Sequence, residues 1–164
     1  MIRTRLEKRA GGLVARITID NPAKLNILTP ELLLRFSREI HSLENETGLR
    51  AIVITGSGEK AFIGGADLGT LGSLDPASAR EFIGKIHSAC AAVRDCPVPV
   101  IARINGWCLG AGLEIAASCD LRIAAGSAAF GMPEVRLGIP SVVEAALLPR
   151  LIGAGRARGL VLTG

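Results

Sequence analysis

Short β-branched runs recur along the chain, and most are followed by a longer stretch with helical spacing. Leu13-Val-Ala-Arg-Ile-Thr-Ile19 alternates in part and reads as a strand, with Ile2 to Glu7 pairing against it as a hairpin through Gly11-Gly12. Asn21-Pro22 ends that strand. Thr29 then caps a helix that has Pro30 at its first position and carries Leu32, Leu33, Phe36 and Ile40 at helical spacing. Ala51-Ile-Val-Ile-Thr55, closed by Gly56-Ser57-Gly58, is a nearly continuous apolar run of the kind buried on both faces. A glycine-rich loop from Phe62 to Gly72 precedes a second helix, begun by Asp75-Pro76 and striped with Phe82, Ile83, Ile86, Cys90 and Val93. Val98 to Ile104 is the next strand, Leu109 to Ser118 a helix and Leu121 to Ala125 a strand, with short helices around Val142 to Leu151 and Ala154 to Leu162. Such alternation predicts one α/β domain over residues 1–164, with right-handed crossovers and a largely parallel sheet. No internal repeat and no linker is visible in the sequence.

Composition removes several classes of function. With 164 residues, 49% of them hydrophobic, the chain can bury a core, and intrinsic disorder is excluded. Its longest uncharged stretches, such as Ile104 to Leu113, fall well short of the roughly 18 apolar residues of a spanning helix, so no membrane role is expected. The net charge of +4 comes from scattered basic residues. The densest group, Arg3, Arg5, Lys8 and Arg9, has no interleaved aromatics, which argues against a nucleic-acid platform and suits a small polyanionic ligand. Cys90, Cys96, Cys108 and Cys119 lack CxxC spacing and read as reduced core thiols. Gly12 to Ile19 is too short, and too interrupted by Arg16, for a signal peptide, so a cytoplasmic protein is expected.

Chemistry concentrates in two glycine-rich segments, Phe62-Ile-Gly-Gly-Ala-Asp67 and Asn105-Gly-Trp-Cys-Leu-Gly-Ala-Gly-Leu-Glu114. Unpaired N–H groups at a helix start suit an anion or a developing oxyanion, although glycine also serves plain tight turns. A dinucleotide fingerprint fails, because Ile115 stands where the third glycine belongs. Glu114 has Gly110, Ala111, Ala117 and Ser118 as its neighbours three and four positions away, and none offers a cation. An apolar setting of this kind raises a carboxyl toward working pH. Glu134 reads equally as a helix-end acid, and Glu144 is a third acid in an apolar run. His41 and His87 flank long helices and read as structural. No metal-ligand spacing, nucleophile elbow or P-loop is present.

On Ala61-Phe-Ile-Gly-Gly-Ala-Asp-Leu68, on the block from Asn105 to Ala124, on Ala129-Phe-Gly-Met-Pro-Glu-Val-Arg-Leu-Gly138, and on Asn21-Pro22 with Leu25-Asn26, the sequence resembles the enoyl-CoA hydratase/isomerase (crotonase) superfamily. The resemblance runs over essentially the whole chain. It implies a spiral of ββα units that binds an acyl-CoA thioester, with backbone N–H groups at Ala66 and Ala111 holding the thioester oxygen. It implies Glu114 and Glu134 as the two catalytic glutamates, and Lys24, Leu25, Asn26, Gly65, Asp67, Leu68 and Gly110 as substrate- or CoA-binding positions. No metal and no separate cofactor is implied, since coenzyme A is part of the substrate. Two departures stand out. Ser141-Val-Val-Glu-Ala145 replaces a glycine-rich turn, which leaves the role of Glu144 open, and a C-terminal helical segment that joins family members as trimers or hexamers is expected to be missing. The leading expectation is hydration of a 2-enoyl-CoA. Isomerisation of a 3-enoyl-CoA to a 2-enoyl-CoA, and an inactive acyl-CoA-binding or partner-binding chain, are the alternatives.

Overall fold

The structure is a computed structural model that describes residues 1–164. Strands β1 (Ile2–Arg9) and β2 (Gly12–Ile19) form an antiparallel hairpin in register from Ile2 opposite Ile19 to Arg9 opposite Gly12. After helix α1 (Pro30–Leu43), strand β3 (Leu49–Gly56) pairs parallel to β2. The chain then leaves this sheet for a second one, through β4 (Ala61–Ile63), and returns by the short helix α2 (Leu68–Leu71) and the long helix α3 (Pro76–Arg94). The same path is taken twice more. Strand β5 (Val100–Ile104) leads to β6 (Trp107–Leu109) and α4 (Ala111–Ser118), and β7 (Leu121–Ala124) leads to β8 (Phe130–Gly131) and the helices α5 (Leu148–Ile152) and α6 (Ala154–Thr163). One sheet is ordered β1-β2-β3-β5-β7 and the other β4-β6-β8, and every pair beyond the hairpin is parallel. The result is the expected α/β spiral of ββα units.

The spiral corrects one expectation. A structural repeat is present although the sequence shows none, because strands of two or three residues are too short to leave a hydrophobic period. For the same reason β4 and α2 lie inside what reads as a single loop from Phe62, and β6 and Gly110 take the start of what reads as a helix from Leu109. The Val142 to Leu151 segment divides into a 3-10 turn, Glu144–Leu147, and α5.

The long elements follow from their sequences. Thr29 accepts the Leu32 N–H at 3.3 Å, and Leu33, Phe36, Ile40 and Leu43 form the buried stripe of α1. Asp75 and Ser78 exchange hydrogen bonds across the first turn of α3, a capping box on an exposed end. Between the sheets and α1, α3 and α4 lies one core that includes Ile17, Ile19, Ile52, Ile54, Phe36, Phe62, Ile104 and Ile115. Helix α4 is buried over all eight of its residues, so its polar groups need partners inside the protein.

The turn from β3 to β4 is braced from both sides. Asn26, fully buried, donates through Nδ2 to Ser57 O at 3.0 Å and Ala61 O at 2.8 Å, while its Oδ1 accepts the Asn21 N–H at 2.9 Å. Asn105 donates to Gly58 O at 2.7 Å and to the same Ala61 carbonyl at 3.1 Å, and its Oδ1 accepts the Gly56 N–H at 3.2 Å. Leu25 and Asn26 both sit in the left-handed region, at φ 54° and 56°. Asparagine tolerates that conformation better than leucine does.

Candidate active site

Beyond the braced turn, the chain from Ile63 to Ala66 runs beside residues 25–28. The Gly64 N–H donates to Leu25 O at 2.8 Å, the Leu28 N–H to Gly65 O at 2.8 Å, and the Asp67 N–H to Leu28 O at 2.9 Å. These bonds use the residues on either side of Ala66, so the Ala66 N–H points the other way and meets no acceptor in the protein. Gly65 adopts φ 109°, which a side chain would resist. Ala111 opens α4, where the first N–H groups of a helix have no partner within it. Gly110, before it, takes φ 50° and ψ −123°, and an added Cβ there would come within 2.5 Å of Glu134 Oε1. Its positive φ calls for glycine at this position, and a Cβ there would displace the Glu134 carboxylate.

Ala66, Ala111, Glu114 and Glu134 line one cavity of about 320 Å³. Its remaining wall is largely apolar, drawn from Phe82, Ile83 and Ile86 of α3, from Leu71 and Leu74, and from the Ile139 to Val143 segment. A larger depression of about 520 Å³, beside Gly58, Arg103, Asn105 and Ile123, contains neither Glu114 nor Glu134 and no free helix start.

Glu114 projects from the buried helix α4. Its Oε1 accepts the N–H groups of Glu144 at 2.9 Å and Ala145 at 3.1 Å. Burial pushes its carboxyl up to about 7; those two N–H groups pull it down, and the neighbouring charges of Glu134 and Glu144 push it up. Glu134 sits in the first turn of a 3-10 segment, Pro133–Leu137, and its Oε2 accepts from Ser141 Oγ at 3.2 Å. Glu144 is buried but does not line the cavity. Its Oε1 pairs with Arg94 Nη1 at 2.8 Å and His87 Nδ1 at 2.9 Å. Arg94 goes unnoticed in the sequence, and the Ser141 to Ala145 segment stands out there only as a departure, because the partners of Ser141 and of the two N–H donors are brought in by tertiary folding and no local spacing marks them.

The remaining candidate positions divide. Asp67 is occupied as the cap of α2: its Oδ2 accepts from Thr70 N and Thr70 Oγ1, both at 2.9 Å, which hold its carboxyl below the usual range. Leu68 and Lys24 are exposed and Leu25 is half-exposed at the rim of the same segment. For Asn26 the expectation of a substrate contact is corrected. It has no exposed surface, and its side chain is spent on the turn between β3 and β4.

Residues 9–164 match the family described as Enoyl-CoA hydratase/isomerase. The chain belongs to this family. It is 41% identical over 152 residues to a putative enoyl-CoA hydratase/isomerase of Bacillus subtilis, covering 92% of this chain and 58% of that protein. It is 40% identical over 159 residues to the short-chain-enoyl-CoA hydratase of Clostridium acetobutylicum, covering 96% of this chain and 60% of that one. The crystal structure of an enoyl-CoA hydratase from Bacillus anthracis superposes with a TM-score of 0.91 at 36% identity, over 99% of this chain and 62% of the other. This member of the hydratase/isomerase family thus spans about 60% of the length of the relatives it matches.

Proposed function

We propose that the chain carries the acid–base site of an enoyl-CoA hydratase, with a 2-enoyl-CoA thioester as substrate. One observation carries this reading: two glutamates and two helix- or loop-borne N–H sites share a single apolar cavity, and one of the glutamates is held near 7. A base near neutrality is suited to taking a proton from water at working pH. The thioester carbonyl lies between the N–H groups of Ala66 and Ala111, which stabilise the enolate oxygen by a few kcal/mol per donor. A water held by Glu114 and Glu134 gives one proton to Glu114 as its oxygen bonds to Cβ. Glu134 delivers a proton to Cα. The two carboxyl groups exchange one proton afterwards to reset the pair, and the sum is addition of one water with no electrons gained or lost.

Names of relatives support the same substrate class, since proteins 40% and 38% identical are called short-chain-enoyl-CoA hydratase and crotonyl-CoA hydratase. The exposed segment at Lys24 and Leu25 is the proposed approach for the coenzyme A portion, and a homo-oligomer in the cytoplasm is the proposed setting. Isomerisation of a 3-enoyl-CoA needs only one carboxyl group to carry a proton between two carbons, so it leaves the second glutamate of the cavity without a task. Crotonyl-CoA decides between them. Loss of its conjugated-thioester absorbance on incubation with the chain is the expected result. No loss, with a 3-enoyl-CoA converted to the conjugated isomer instead, would overturn hydration in favour of isomerisation.

A further inference from the structure

Glu144 is a buried acid with no part in the proton transfers just described. Its carboxylate turns away from the cavity toward α3, into the pair of contacts with Arg94 and His87. Arg94 reaches further, to Ser118 Oγ at 3.4 Å, and Ser118 Oγ donates to the carbonyl of Glu114 at 2.9 Å. At its other end, Glu144 presents its own backbone N–H, with that of Ala145, to Glu114 Oε1. The same residue is thus tied to α3 through its side chain and to the proposed base through its main chain.

The 3-10 turn Glu144–Leu147 that carries these donors has no side-chain cap. Such turns are short and weakly held by their own hydrogen bonds, so their direction is set from outside. Burial of Ala145 and Leu148 holds the segment against the core, but apolar contact is non-directional and does not aim an N–H. The ion pair with Arg94 is directional.

The geometry points to Glu144 as a positioning residue for Glu114: anchored by Arg94 and His87, it aims two backbone N–H groups at one carboxylate oxygen and leaves the other oxygen free for the reacting water. This rests on Glu114 being the base, yet it makes a claim that is read without turnover. Glu144 acts on Glu114 in two opposed ways. Its N–H and that of Ala145 favour the ionised form, and its negative charge disfavours it. The other charged or titratable groups around Glu114 are Glu134 on the same cavity and Cys90 and Arg94 on α3.

Two substitutions separate these effects. Glu144→Gln removes the charge and keeps an oxygen that accepts from Arg94 and His87, so the turn stays and the Glu114 midpoint holds or falls. Glu144→Ala removes the anchor, the donors drift, and the midpoint rises. The readout is the pH titration of the Glu114 carboxyl in the whole chain, followed by NMR with carboxyl-labelled glutamate and assigned through Glu114→Gln. In turnover, Glu144→Ala is expected to lower kcat about a hundredfold with KM little moved, as a displacement of about 1 Å does, and Glu144→Gln is expected to recover most of that loss. If Glu144→Ala does not fold, His87→Ala loosens the same anchor from an exposed position and is expected to raise the midpoint by less. A midpoint in Glu144→Ala, or in His87→Ala in its place, that is unchanged or lowered overturns the proposal. A raised midpoint in a chain that hydrates no 2-enoyl-CoA supports it and overturns the hydratase reading alone.

Discussion

At the scale of single residues, Glu114 ties stability to the proposed activity. Its carboxyl, about 7 in the folded protein against 4.5 for the unperturbed group, binds a proton more tightly folded than unfolded. The folded state therefore holds more protons between those two values, and stability falls as pH rises from about 4.5 to about 7. Above 7 the full penalty is present, on the order of 3 kcal/mol for a shift of this size. Glu114→Gln should flatten that slope, and at pH 8 the variant should resist urea better than the wild-type chain while losing hydration. Denaturation at pH 5 and pH 8 measures it, and an unaltered slope would mean that Glu114 is solvated. Wild-type hydration should rise with pH through 7 as the base ionises. Glu134→Gln should cut turnover by about 10²–10⁴-fold with acyl-CoA affinity retained; near-normal turnover would reduce Glu134 to a brace for Ser141.

Among the elements, the turn from β3 to β4 is held by side-chain bonds from both Asn26 and Asn105, and its loss should be felt at Ala66. Asn26→Ala removes two donated bonds and two accepted bonds in a fully buried place, and puts alanine at φ 56°. A loss of about 2–4 kcal/mol in stability is expected from the unpaired groups and the left-handed backbone together. Asn26→Gly relieves only the backbone part, so it should fall between wild type and Asn26→Ala in a chemical melt. Equal values for the two variants would place the whole effect in the hydrogen bonds. The capped helices α1 and α3 and the strands β2, β3 and β5 were legible in advance, because Thr29-Pro30, Asp75-Pro76 and the β-branched runs act locally. Glu114 was legible for a similar reason, since small neighbours three and four positions away leave a helical acid in apolar company. The short strands of the second sheet, the structural role of Asn26 and the Arg94–Glu144 pair were not. Each depends on partners tens of residues distant, and chain order alone does not place them.

For the molecule as a whole, β7 is the outer strand of the larger sheet, and all four of its residues are exposed, Leu121 at 56% and Ile123 at 63%. An apolar strand with an unpaired edge favours association with other chains. Ile123→Lys should shift sedimentation of the chain toward the monomer without altering its far-UV dichroism; the same distribution for both proteins would show that other surfaces drive any assembly. The braced turn has a bearing on synthesis as well as on the finished protein. The Ala61 carbonyl takes one hydrogen bond from a residue 35 positions earlier and another from a residue 44 positions later, and Glu114 waits for donors 30 positions further on. Contacts of such long separation are made late and slowly, after the entropy of closing the intervening loops has been met. A ribosome that has released the chain only as far as α4 holds both glycine-rich segments and the proposed base, but not Glu134 or the donors that orient Glu114. On the proposed mechanism, the nascent chain lacks both its acid and the donors that orient its base until the segment around Ala145 emerges.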